Sequence, residues 1–226
     1  MAILMGNGSA KQVVVAGASI LVIAASVGRI CFTQLAAPKT ELVLHKGIGE
    51  VMAEETHKLL DRKGKVIVVA AEPGSAPELR AQLETFRETL GKLGGIVIKD
   101  TVLLDSQDKP QYGAGRGLSA RRFVRIAKKS SGVDGIVSFV GAPNLSESDL
   151  AELEKTGLPK FIAESGSAAK LKRLFDKKVL QVAIVRRYQF PAPNTNDPRN
   201  AREWFEKRFQ IVTADSAASL PGPERE

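Results

Sequence analysis

Apolar residues follow two different patterns along this chain. From Gln12 to Gly28 the run QVVVAGASILVIAASVG carries no charge, and beyond Arg29 the segment ICFTQLAA continues the apolar character to Ala37. As a helix, the uncharged run rises about 25 Å, close to the lower limit for a membrane span. The rest of the chain repeats one junction: a polar, helix-like stretch ends in Gly or Lys, and a β-branched run begins. It occurs as DRKGKVIVVAA, GKLGGIVIKD, SSGVDGIVSFV, TGLPKFIAES and DKKVLQVAIV. These place strand cores at Val66–Ala71, Ile96–Val102, Gly135–Val140, Lys160–Ala163 and Leu180–Val185. Most of these runs are almost continuously apolar, which suits parallel strands covered on both faces.

Helical spacing fills the intervals. Leu79, Leu83, Phe86 and Leu90 line one side of Glu78–Lys92, and Phe123, Ile126 and Ala127 one side of Ser119–Lys129. Ser146–Lys155 opens on a capping serine followed by acids in the first turn. Ser167–Lys177 is the fourth helix. Alternating strand and helix predicts an α/β fold with right-handed crossovers, a three-layer flavodoxin-like or Rossmann-like parallel sheet of about five strands. Leu42–Arg62 reads as a further helix with Met52, Thr56, Leu59 and Leu60 on one side, either packed on the sheet edge or serving as a stalk. After the proline-rich stretch Pro191–Asn200, the Asn200/Glu203 cap predicts a short helix, AREWFEKRF, whose Trp204, Phe205 and Phe209 dock on the core.

The expected organisation is a short tail over 1–11, a transmembrane anchor or uncleaved signal over 12–37 and a helical stalk over 38–64. An α/β domain then occupies 65–214, and a disordered tail 215–226. An uncleaved anchor fits the first 37 residues better than a cleaved signal peptide. Lys11 supplies a short basic start, but no small-x-small site follows the apolar core, and Cys31 lacks the residues that precede a lipoprotein cysteine. A buried core helix would need a polar stripe, and Gly, Ala, Val and Ile surround all faces. A short N-terminal tail before a long domain predicts a single-pass protein of the inner (cytoplasmic) membrane with its C-terminal domain on the periplasmic side. The positive-inside rule leans the other way, since Lys11 stands against Arg29, Lys39 and Lys46.

Composition narrows the chemistry. One cysteine excludes a disulfide framework and a cysteine-cluster metal site, and two histidines, His45 and His57, leave little for a histidine-based site. No metal, cofactor or catalytic residue is assigned, and the chain is read as a non-enzyme. The net charge is +8, and Lys11 and Arg29 contribute two of it, leaving +6 for residues 38–226. Nucleic acid is not expected as a partner: aromatic residues make up only 5% and supply no stacking platform. The positive charge is read instead as attraction to anionic headgroups or an acidic partner.

Two groups of residues are candidates for binding. In the sequence GAGRGLSARR, the amides of Gly115 and Gly117 with Arg116 and Arg121 form a candidate anion site at the opening of a helix; the plainer reading is a glycine loop feeding an exposed basic helix. Open α/β sheets bind ligands outside the carboxyl ends of their strands. Those ends supply Glu72, Ser75, Asp105, Asn144, Glu164 and Arg186 as candidates for a small polar ligand. Glu72 and Glu164 are also a candidate carboxylate pair for catalysis, and the spacing does not fix their separation.

Val133–Pro143 resembles the third strand and following loop of response-regulator receivers, but Phe139 stands where the phosphoacceptor aspartate belongs, so receiver chemistry is absent. The stronger resemblance is to type 1 periplasmic-binding-protein-like domains, the sugar-binding and repressor-core family. It rests on KVIVVAAEPGSAPEL (Lys65–Leu79) with the following helix LRAQLETFRETLGKLGGIVI, on VDGIVSFVGAPN (Val133–Asn144) and on TGLPKFIAES (Thr156–Ser165), and covers Lys65–Val185. It implies a lobe whose ligand residues fall at strand ends such as Ser75, Asp105 and Asn144. That family clamps its ligand between two lobes, and this chain has length for one. The expected function is therefore binding of a sugar-like ligand, or of a protein partner or second copy, at the cell envelope. The alternatives are an interaction module of an envelope assembly without a small ligand, or a hydrolase using the strand-end carboxylates.

Overall fold

The computed structural model describes residues 39–72, 76–104, 118–155, 157–165, 171–187 and 198–219. The apolar stretch over 12–37, with its expected anchor, lies outside these residues. No helix among the described residues is long and apolar enough to cross a membrane.

Among the described residues six helices and six strands follow one another as α1 (Lys39–Leu59), β1 (Gly64–Ala71), α2 (Pro77–Leu93), β2 (Ile96–Leu104), α3 (Ala120–Lys129), β3 (Gly135–Ser138), α4 (Glu147–Glu154), β4 (Lys160–Ser165), α5 (Lys172–Asp176), β5 (Val182–Arg186), α6 (Ala201–Arg208) and β6 (Phe209–Thr213). They form one sheet in the order β2-β1-β3-β4-β5-β6. The first five strands are parallel, with Ile67 beside Ile136 and Ile136 beside Phe161. All four residues of β3 are buried, as its apolar run requires of a strand covered on both faces.

The sheet expected to have about five strands has six among the described residues. Phe209 does not end a helix; it opens β6, which runs antiparallel to β5, with Arg186 opposite Phe209 and Val182 opposite Thr213. A helix of only eight residues, capped by Asn200 Oδ1 accepting the Glu203 amide at 2.9 Å, turns the chain back along β5. The stretch read as a tail from Asp215 begins with a packed turn: a 3₁₀ helix covers Ala217–Ser219, and Ala217 is buried.

The sheet carries two apolar layers. On one face Phe123, Ile126, Leu150, Leu153, Leu174 and Phe175 of α3, α4 and α5 cover Ile67, Val69, Ile136, Phe161, Ala163, Ala183 and Val185. On the other, α1, α2 and α6 cover Val66, Val68, Ala70, Val137, Ile162 and Ile184. Ile48, Val51, Met52 and Ala53 of α1 are wholly buried, so this helix is a core element of the α/β unit that begins at Glu41.

Two glycines let α1 sit there. A Cβ at Gly49 would stand 2.2 Å from the Gln82 carbonyl oxygen of α2, and one at Gly47 2.2 Å from the Ala201 carbonyl oxygen of α6. The helix is held backbone to backbone on both sides. The N-terminal end of α6 is further tied by Arg202, which pairs with Glu54 of α1 and, through Nε at 3.1 Å, with Glu206.

Gly49→Ala should destabilise the protein by about 1–3 kcal/mol in chemical denaturation, the usual cost of overpacking. An alanine in a helix interior otherwise stabilises by about 1 kcal/mol over glycine. A gain in stability would show that α1 and α2 do not approach this closely.

Candidate site at the carboxyl ends of the strands

Strand polarity brings the ends of β1, β3, β4 and β5 to one rim. Side chains alternate along a strand, so the face that carries Ala70, Val137, Ile162 and Ile184 continues outward as Glu72, Phe139, Glu164 and Arg186. Three of the residues singled out from the sequence, Glu72, Glu164 and Arg186, therefore share one side of the sheet, beneath α1 and α2.

Glu164 is the centre of this group. It is partly buried, and its Oε2 accepts a 2.5 Å hydrogen bond from Gln82 Nε2. Burial pushes the Glu164 carboxyl up to about 7; the Gln82 amide and the positive charge of Arg186 oppose the shift without cancelling it. Gln82 is itself buried, within the apolar side of α2 between Leu79 and Phe86. Spacing alone could have marked it: a polar residue four before Phe86 on a buried face must have a polar partner.

Glu72 and Glu164 do not form a close pair. β3 lies between β1 and β4, which sets their backbones about 10 Å apart at two inter-strand spacings. Phe139 occupies the intervening strand end, buried, with its ring edge-on to Phe86 at 5.2 Å. Glu72 is exposed, and its amide donates to the Leu104 carbonyl at 3.2 Å. Arg186 is exposed beside Glu164, whereas Arg187 is committed to structure: its Nε donates to the Glu206 carbonyl at 2.6 Å and its amide to the Arg208 carbonyl at 2.9 Å.

The loop after β3 is shaped by Ser138, whose Oγ donates to the Gly141 carbonyl at 2.7 Å. This turn leads to Asn144, which is exposed. Ser146 and Asp149 then close the capping box expected at α4: the Ser146 amide donates to Asp149 Oδ2 at 2.8 Å, and the Asp149 amide to Ser146 Oγ at 3.2 Å. The hydrogen bonds from Ser146 hold the Asp149 carboxyl below its usual range. Ser75, Asp105, Gly115, Arg116 and Gly117 lie outside the described residues. Arg121 is exposed on α3, which covers the opposite face of the sheet, so it does not join Glu164.

No group of three or more His, Cys, Asp or Glu placed to hold a metal occurs among the described residues. A groove of about 570 Å³ lies at the other end of the sheet, lined by Leu59, Phe175, Leu180, Val182 and Thr213. It is mainly apolar, and Glu164 is not among the residues that line it.

The raised Glu164 pKa has a sign that can be tested. Between its unfolded value near 4.5 and about 7, the folded protein holds a proton that the unfolded chain has lost. Glu164 thus favours the folded state most below pH 4.5, and this contribution falls away as pH rises through 7, by up to about 3 kcal/mol. Glu164→Gln should flatten this part of the stability profile in denaturant titrations between pH 4.5 and 8. An unchanged slope would mean that the carboxyl is solvated.

No protein-family model matches the chain, and no curated protein matches it in sequence. Its fold does match solved structures. An arabinose-binding protein from Geobacillus stearothermophilus superposes with a TM-score of 0.54 at 15% identity, over 79% of this chain and 63% of that one. A sugar-binding protein of a sugar ABC transporter from Bacillus halodurans gives 0.54 at 16%, over 78% and 64%. An ABC-transporter solute-binding protein from Burkholderia graminis, solved with D-arabinose, gives 0.51 at 17%, over 78% and 62%. The chain spans less than two thirds of the length of each. The likeness is one of fold, and the lobe expected from Lys65–Val185 is an α/β unit of this kind.

Proposed function

We propose that this chain is a non-catalytic binding protein that takes a small, polar, sugar-like ligand at the carboxyl rim of its sheet. The observation that carries this reading is Glu164, a partly buried carboxyl fixed by the Gln82 amide beside the exposed guanidinium of Arg186. Burying a carboxyl with a single neutral donor is costly to the fold. As an acceptor with Arg186 as donor, the same group suits the hydroxyls of a polyol. The structural neighbours support this reading, since two are described as binding arabinose. Glu72, Ser75, Asp105 and Asn144 complete the rim in this proposal, and the amides of Gly115 and Gly117 with Arg116 and Arg121 are a separate anion site.

The described residues form one sheet with helices on both faces, so a ligand at the rim is covered from one side only. Small-molecule sites normally bury most of the ligand. Simple sugars should accordingly bind with a dissociation constant on the order of millimolar, worth about 4 kcal/mol. A protein partner or second copy supplies the other side where tighter binding is needed. In calorimetry of the full-length protein with D-arabinose, Glu164→Ala and Arg186→Ala should each weaken binding about tenfold. Micromolar affinity in a proven monomer would overturn the one-sided site, and unchanged binding in both variants would place the ligand elsewhere.

The proposal includes a tether. Residues 12–37 anchor the protein in the inner membrane, with the α/β domain on the periplasmic side. Full-length protein should then stay with membranes through a carbonate wash, and protease should reach the domain in cells whose outer envelope alone is opened. Release by carbonate, or a mature N-terminus near residue 38, would remove the anchor from this reading.

A further inference from the structure

The outer strand β2 is nine residues long and pairs on one side with β1; no described strand lies on its other side. The large apolar side chains that stand exposed among the described residues, Leu93, Val97 and Leu103, all fall on β2 or just before it. A long parallel edge with exposed apolar residues is a template for another strand.

Yet the second half of this edge is already occupied by the chain's own side chains. Leu104 lies beside Ala71, and its carbonyl accepts the Glu72 amide at 3.2 Å. By the alternation of a parallel ladder, Asp100 and Val102 also turn their backbone groups toward β1, and Thr101 and Leu103 turn theirs outward. The Thr101 amide donates to Oδ1 of Asp100 at 2.7 Å. The Leu103 carbonyl accepts from the Arg122 guanidinium on α3 at 3.3 Å. Between the two halves of β2 the register slips: Val66 lies beside Ile98, but Ile67 lies beside Asp100. The extra residue is Lys99, exposed, with Nζ on the Ser131 carbonyl at 3.0 Å. Such a bulge bends the strand and breaks the line of outward groups.

We propose that Asp100, Arg122 and the bulge at Lys99 form an edge guard that prevents a second copy of this chain from continuing the sheet through β2. The two side chains occupy a donor and an acceptor that a pairing strand would use, and the bulge throws the remainder out of register. The guard acts on the opposite side of β2 from the ligand rim's strands and is independent of what the rim binds.

The test compares full-length wild type with Asp100→Ala/Arg122→Ala, by light scattering after size exclusion under reducing conditions that keep Cys31 out of account. The variant leaves net charge unchanged and should self-associate at a concentration at least tenfold below any at which wild type does. Glu88→Ala/Lys92→Ala, equally charge-neutral and exposed on α2, should behave as wild type. Adding Thr101→Pro to the guard variant should restore the wild-type mass, because that amide faces outward and its loss costs the sheet no bond of its own. A guard variant no more associated than wild type overturns the proposal, and so does association that survives Thr101→Pro. If the double variant fails to fold, Asp100→Ala and Arg122→Ala are measured singly; association in either upholds the guard, and its absence in both overturns it.

Discussion

The close approach of α1 to its two neighbours is the constraint on which the rest of this structure depends. A helix packed through side chains stands 8–10 Å from its partner; here Gly47 and Gly49 bring the backbone of α1 against carbonyls of α6 and α2. The glycines weaken the helix intrinsically, and the burial of Ile48, Val51, Met52 and Ala53 offsets that weakness. With α1 seated so deeply, one layer of the sheet is closed by three helices, none of which would cover Val66, Val68, Val137 and Ile162 by itself.

The same contact reaches the candidate site. The Gln82 carbonyl is the atom that Gly49 makes room for, and the Gln82 amide is the group that holds Glu164. One residue of α2 therefore registers that helix against α1 through its backbone and fixes the rim carboxyl through its side chain. Phe139 and Phe86 fill the space between the ends of β1 and β4, which keeps Glu72 and Glu164 apart and leaves each carboxyl a separate role. Two carboxyls separated by a strand and a buried ring do not share a proton as a close pair does.

Charge is used differently at the rim and over the rest of the surface. Pairs such as Lys128 with Glu152 and Arg173 with Glu147 are exposed and contribute little to stability. Glu164 is the partly buried acid whose ionisation burial moves to about 7, so the charge at the rim changes near neutral pH.

The sequence by itself determined the elements and their alternation. Nearly all-apolar runs such as Ile136–Val140 dictate buried parallel strands, and the Ser146 and Asn200 caps fix where α4 and α6 begin, because both signals are local. It also named Glu72, Glu164 and Arg186 as residues at strand ends. It did not give β6, since a five-residue strand next to a short aromatic helix has no period long enough to separate the two. Nor did it show Gln82 as the partner of Glu164, 82 residues apart, or the wedge made by Gly47 and Gly49. Those depend on which helix lies over which strand, and only the tertiary structure decides that, because contacts between distant segments leave no periodicity in either one.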